Sequence, residues 1–234
     1  MKQLFAIIFF FTCSGSSCSK NEIEPMSQPA GSTYTYLALG DSYTIGEMVP
    51  PPDNFPSQVY SILQHDNIGI QAPRIIAKTG WTTDELETGI VNANTIDPLA
   101  PSYDFVSLLI GVNNQYRARS VDNYKPEFEE LLRKAIRFAG NKADRVVVIS
   151  IPDWGVTPFA DGRDRAQIAA EIDAYNAANK QIALQYNIHY IDITPWTREA
   201  ATDHSLLAAD GLHPSGKEYH RWAQRIVSFF KSKI

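Results

Sequence analysis

Two short segments near opposite ends of the sequence hold side chains of the types and spacing that acyl transfer to a serine requires. They are Gly40-Asp41-Ser42-Tyr43 and Ala209-Asp210-Gly211-Leu212-His213-Pro214-Ser215. A serine hydroxyl is a weak nucleophile until a base takes its proton during attack, and an imidazole does this best when a carboxylate fixes its tautomer. In that scheme Ser42 is the nucleophile, His213 the base and Asp210 the orienting acid. Because Asp-x-x-His draws two partners from one loop, only Ser42 has to be brought in by the fold. Attack builds negative charge on the carbonyl oxygen, and one well-aimed donor there is worth about 3–4 kcal/mol. The donors at hand are the backbone N–H groups of Ser42 and Gly80 and the side-chain amide of Asn113. Gly80 suits the task because a residue without Cβ lets substrate approach the backbone. Protonation of His213 would end its service as base, so activity is expected to fall on acidification.

Positioning those groups is the work of a parallel sheet. From Tyr34 onward short apolar runs alternate with longer segments of helical spacing, the pattern of an α/β fold with a five-stranded parallel sheet and helices on both faces. The predicted strands are Tyr36–Leu39, Arg74–Ala77, Phe105–Ile110, Arg145–Ile151 and His189–Ile193. One helical face comprises Phe128, Leu131, Leu132, Ala135 and Ile136, stopped by Gly140-Asn141. A second runs through Ile168, Ile172, Tyr175, Asn179, Ile182 and Tyr186. Tyr219, Trp222, Ala223, Ile226 and Phe230 form a third, with Pro214 expected in its first turn. In such sheets ligands bind at the carboxyl ends of the strands. Gly40-Asp41-Ser42, Thr79-Gly80-Trp81, Gly111-Val112-Asn113-Asn114 and Pro152-Asp153-Trp154 each follow a predicted strand and so share one rim.

Other reactive side chains carry weaker signals. His65 and His220 fit helix surfaces, His189 sits in a strand, and His204 is near Asp210 without the matching spacing. Asp192, at the end of the last strand, reads as structural. No His/Cys/Asp set has metal-ligand spacing, so neither a metal nor a cofactor is expected. Tyr43, Trp81, Tyr116, Arg117, Arg119, Trp154 and Phe159 flank the motif positions and either line a substrate cleft or close the core. Pro50-Pro51-Pro52 stiffens the loop after Ser42.

Composition limits the partners and the setting. The chain has 234 residues, 44% of them hydrophobic, enough for one full-sized core, and a net charge of −5. Its charges are interspersed with no basic stripe, which argues against nucleic acid as a partner. Met1-Lys2 and the apolar run Leu4 to Phe11 are too short for a spanning helix and predict an export signal over residues 1–18. Gly15-Ser16-Ser17-Cys18 resembles the processing site of a bacterial lipoprotein, with Cys18 as the lipidated N-terminus and membrane anchor. Residues 19–33 are polar, with Pro25, Pro29 and Gly31, and predict a tether able to span about 50 Å. The domain itself is expected over residues 34–234. From Ser19 onward there is no cysteine, so the core must supply the stability.

The motif set resembles that of the SGNH, or GDSL-type, hydrolase family. Gly40-Asp41-Ser42-Tyr43 matches the first motif, with Tyr43 where the name-giving pattern has Leu. Gly80 matches the second, Gly111-Val112-Asn113-Asn114 the third and Asp210-Gly211-Leu212-His213 the last. Asn114 stands where the third motif has Asp, a change expected to touch supporting hydrogen bonds more than chemistry. The resemblance runs from about Tyr34 to the C-terminus. It implies a flavodoxin-like three-layer α/β/α sandwich and metal-free ester hydrolysis through an acyl-serine intermediate. The expected activity is therefore that of an exported serine esterase acting on small acyl or acetyl esters, including esters on glycans. A ligand-binding module on the same fold that has lost turnover is the alternative, and a phosphodiesterase- or sulfatase-like site a weaker one.

Overall fold

Strands β1 (Tyr36–Gly40), β2 (Arg74–Ala77), β3 (Phe105–Leu109), β4 (Val146–Ile149) and β5 (His189–Ile191) form one parallel sheet in the order β2-β1-β3-β4-β5. The structure is a computed structural model that describes residues 33–234. The leader, Cys18 and all but the last residue of the 19–33 segment lie outside the described residues. β1, β3 and β4 are buried along their whole length. That is why they are nearly continuous apolar runs rather than alternating ones, since a strand covered on both faces has no polar side to present, and the one polar side chain, Ser107, bonds the Tyr36 hydroxyl at 2.8 Å. At the edge, β5 exposes His189.

Helices α1 (Ser42–Ile45), α2 (Phe55–His65), α3 (Thr83–Ile96), α4 (Val112–Tyr116), α5 (Val121–Phe138), α6 (Arg165–Gln185), α7 (Thr194–Thr197) and α8 (Gly216–Lys231) surround the sheet. α2 packs on α8, while α3, α5 and α6 pack as a row, and together they make the outer layers of a three-layer sandwich. Phe55, Val59 and Leu63, four residues apart, face the core from α2. From α8, Phe230 stacks on Phe105 of β3 with ring centroids 4.0 Å apart and planes 12° from parallel. Each such fully buried side chain adds about 2–3 kcal/mol by leaving water.

The strand ends differ from the sequence reading in ways the hydrogen bonds explain. β4 stops at Ile149 rather than Ile151, because Asn176 of α6 takes over the Ile151 backbone, accepting from its N–H (2.8 Å) and donating to its carbonyl (3.0 Å). β5 stops at Ile191, not Ile193, because Asp192 accepts from the Thr194 N–H at 3.2 Å and turns the chain into α7. β3 likewise ends one residue early, at Leu109. Pro214 is not in the first turn of the last helix. Ser215 takes the N-cap with extended backbone, and Pro214 is held in a β-bridge to Leu207. That bridge is reinforced by bonds from Ala208 N–H to the His213 carbonyl (2.7 Å) and from Ser215 N–H to the Leu206 carbonyl (2.8 Å).

The chain runs from β1 outward to β2 and then returns to place β3 on the other side of β1, so the order reverses between β1 and β3. Loops leaving adjacent strands on either side of such a switch diverge and leave a crevice at their carboxyl ends. Ser42 follows β1 and Asn113 follows β3, which puts the two segments on the walls of that crevice.

Candidate active site

Gly40 closes β1 against the next strand. A Cβ there would lie 2.1 Å from Thr44 Oγ1 and 2.5 Å from the Leu109 carbonyl, so only glycine lets α1 begin where it does. Asp41 then caps α1, its Oδ1 accepting from the Tyr43 N–H at 3.0 Å. This cap leaves Ser42 as the first residue of the helix with 4% of its surface exposed. Burial pushes the Asp41 carboxyl up to about 7, against opposing hydrogen bonds from the Tyr43 backbone and Asn113.

Asp210 and His213 are joined directly, Asp210 Oδ2 lying 2.6 Å from His213 Nδ1. The other carboxylate oxygen accepts from the backbone N–H groups of Leu212 and His213, both at 3.0 Å, so the loop clasps its own acid. Burial alone would raise Asp210, but the bond to His213 and the two backbone donors hold it below its ordinary value. Tyr43, next to Ser42, packs its ring on the His213 ring at 4.9 Å. This contact joins the β1 loop to the C-terminal loop. Burial, then the nearby carboxylates of Asp41, Asp210 and Asp153, push the Tyr43 hydroxyl well up, so it stays neutral. Ser42 Oγ makes no hydrogen bond to His213 among the described residues. In serine hydrolysis such a bond is commonly long before substrate arrives and tightens as attack begins.

Asn113 bridges the first two loops. Its amide donates to the Trp81 carbonyl at 3.0 Å and, more weakly, to Asp41 Oδ2 at 3.4 Å. Gly80 has φ +83°, a conformation glycine adopts at little cost. Its carbonyl accepts from Arg117 Nη2 at 2.6 Å, while Arg117 Nη1 pairs with Glu85 at 2.9 Å. Glu85 in turn accepts from the Thr82 N–H at 3.0 Å, completing the capping box of α3. The Gly80 loop is thus clamped from α3 and from the end of α4. Asn114, fully buried, faces away from this group. It accepts from the Thr83 N–H at 3.1 Å and donates to Thr83 Oγ1 at 2.7 Å, and the Thr83 hydroxyl passes the chain on to Glu127.

The flanking side chains divide. Trp81 packs against α3, where a Cβ on Gly89 would sit 2.1 Å from its ring. Arg119 pairs with Asp84 at 2.6 Å, and Trp154 is buried. Tyr116 and Phe159 stay in solvent. Asp192 bonds Ser150 and Thr194, a local capping duty. His65, His204 and His220 are exposed. Sequence reasoning missed Asp41 as a partner of Asn113 and Arg117 as the clamp on Gly80. Neither had a spacing signal, because each contact joins loops that follow different strands.

A family model for the GDSL-like lipases/acylhydrolases matches residues 38–221. The chain belongs to that family. Solved structures similar to this GDSL-family chain include TesA (13% identity, TM-score 0.63, 86% of this chain and 99% of that one). Esterase EstA from Pseudoalteromonas sp. is 16% identical with TM-score 0.63, covering 85% and 97%. Axe2, an acetylxylan esterase from Geobacillus stearothermophilus, is 21% identical with TM-score 0.62, covering 86% and 95%. At these identities the likeness shows the fold. A comparison with curated proteins finds no significant match.

Proposed function

We propose that this GDSL-family chain is an exported serine esterase that cleaves short-chain carboxylic esters through an acyl-serine intermediate. The observation that carries the reading is the 2.6 Å Asp210–His213 pair beside the Ser42 turn. Asp210 keeps the proton on His213 Nδ1, leaving Nε2 to accept the proton of Ser42 as its Oγ bonds to the ester carbon. The carbonyl oxygen becomes an oxyanion, met by the N–H groups of Ser42 and Gly80 and by the amide of Asn113. The 3.4 Å contact from Asn113 to Asp41 is the weak one, and the oxyanion replaces it. Collapse returns the proton from His213 to the departing alcohol. Water, activated by the same imidazole, then releases the acid and restores Ser42.

Export and anchorage through lipidated Cys18 complete the proposal. They rest on the leader sequence and are checked by labelled palmitate, incorporated by the wild type and not by Cys18→Ser.

The decisive test is the intact mass of the purified chain after brief exposure to a fluorophosphonate. EstA, one of the similar esterases, is known in a form inhibited by monoethylphosphonate. One adduct on the wild type and none on Ser42→Ala or His213→Ala is the expected result. No adduct on any of the three would favour the binding-module alternative.

A further inference from the structure

We propose that Tyr116, Phe159 and Arg163 form a carbohydrate-binding platform for the alcohol side of the ester, so that the substrate is an O-acylated sugar. The inference rests on the serine-esterase reading above and names its substrate class. Among the described residues Tyr116 and Phe159 are the only exposed aromatic side chains, at 42% and 43%. Solvated rings normally cost free energy, and here the two stand side by side with centroids 6.2 Å apart. Both rest on buried Trp154, edge-to-face at 5.3 Å and 6.0 Å. Trp154 is itself fixed by a 2.7 Å bond from its indole N–H to Gln115. A wall built this way is rigid before any ligand arrives, which lowers the entropy cost of binding.

The wall is attached to the reacting groups on both sides. Tyr116 ends α4, three residues after Asn113. The Phe159 N–H donates to the Gly211 carbonyl at 3.3 Å, inside the Asp210–His213 loop. Pro158 packs against Gly211, 3.4 Å from where a Cβ would stand. An alcohol group leaving Ser42 therefore has this surface as its neighbour.

The chemistry of the wall selects a sugar. The Arg163 guanidinium lies 5.2 Å from the Tyr116 ring centre and 5.4 Å from that of Trp154, and donates to the Tyr116 hydroxyl at 3.3 Å. Its carboxylate neighbours in sequence are engaged elsewhere, Asp161 with Arg165 at 2.6 Å and Asp164 as the cap of α6. Arg163 forms no ion pair among the described residues, so further N–H donors of its fork point into solvent beside two aromatic faces. A pyranose has C–H groups on one face to lie against a ring and hydroxyls at its rim to meet such donors. An alkyl chain would use the rings and waste the guanidinium. An anion would use the guanidinium and meet the carboxylates of its sequence neighbours Asp161 and Asp164.

The test is calorimetric titration of the full chain carrying Ser42→Ala with acetylated xylo- and cello-oligosaccharides. Saturable binding is expected, weakened about fivefold to tenfold by adding Phe159→Ala or Tyr116→Ala. Phe159→Leu, which keeps bulk but removes the ring face, should weaken it similarly, guarding against a variant that simply misfolds. Absence of binding to both sugar series, or binding that none of these changes weakens, overturns the platform. In turnover, the ratio of kcat/KM on the acetylated oligosaccharide to that on ethyl acetate should drop in Phe159→Ala, and an unchanged ratio overturns the sugar assignment. Sugar binding by a chain that the fluorophosphonate fails to label would uphold the platform and sink the esterase reading instead.

Discussion

The two halves of the proposed site are built in opposite ways. The acid–base half is local, with Asp210 reaching the ring of His213 and two backbone N–H groups within four residues. The proposed oxyanion half is assembled at a distance, from the Asp41-Ser42 turn after β1, Gly80 after β2 and Asn113 after β3, with Arg117 as a clamp. The local half needs only its loop to fold, whereas the distant half exists only once the sheet has closed. A defect in the first should therefore alter protonation chemistry with the geometry kept, and one in the second should alter geometry with the protonation kept.

The sharpest way to break this contrast is Asp210→Asn. The amide oxygen can still accept from Leu212 and His213, but its nitrogen would donate to His213 Nδ1 and force the wrong tautomer. A loss in kcat of about 10⁴-fold is expected, with an unchanged melting temperature. A loss of stability comparable to the loss of activity would show that the loop is not self-contained. On the other half, Asn113→Ala should lower kcat by about 10²–10³-fold. Because it also unties the Trp81 loop, it should lower the melting point, which the local variant does not. Retained stability would contradict the bridging role.

A milder perturbation is Arg117→Ala, which frees the Gly80 carbonyl without touching a reacting atom. Misplacement of a donor by a fraction of an ångström should cost about tenfold in kcat with the pH profile unmoved, and Arg117→Lys should restore part of it. A shift in the profile would mean that Arg117 acts through charge rather than position.

The smallest effect concerns stability and pH. Burial raises Asp41 from near 4 in an unfolded chain to about 7 in the fold. Between those values the folded chain holds a proton that the unfolded chain has released. Asp41's contribution to stability is therefore present at the acid end and is lost as pH rises through the window. Melting curves from pH 4 to 8 should show this decline in the wild type and a flatter profile in Asp41→Asn. Identical slopes would remove Asp41 from the account.

Much of this could be read from residue order, and the physical reason is range. The five strands were visible because β1, β3 and β4 are covered on both faces and so are apolar but for Ser107. The helical stripes of α5, α6 and α8 were visible because their apolar residues recur with the helical period. α2 was anticipated only in placing His65 on a helix surface, and α3 was not anticipated. α3 carries many polar residues on an exposed face, and its start is marked chiefly by the Thr82–Glu85 capping box. The ends of β4 and β5 were overrun by two residues because Asn176 and Asp192 capture the backbone there, and a side chain arriving from another element, as Asn176 does, leaves no local pattern.

By itself the sequence determined the layer architecture and the Asp-x-x-His pairing, since periodic burial and a three-residue loop are short-range properties. Only the tertiary structure decided that Asp41 is buried against Asn113, that Arg117 holds Gly80, and that Asn114 serves the start of α3. It also separated Trp154, buried, and Trp81, half-buried against α3, from the exposed Tyr116 and Phe159, which composition could not distinguish. Those outcomes depend on which loops the strand order β2-β1-β3-β4-β5 brings to one rim, and adjacency across a sheet is fixed by its closure rather than by distance along the chain.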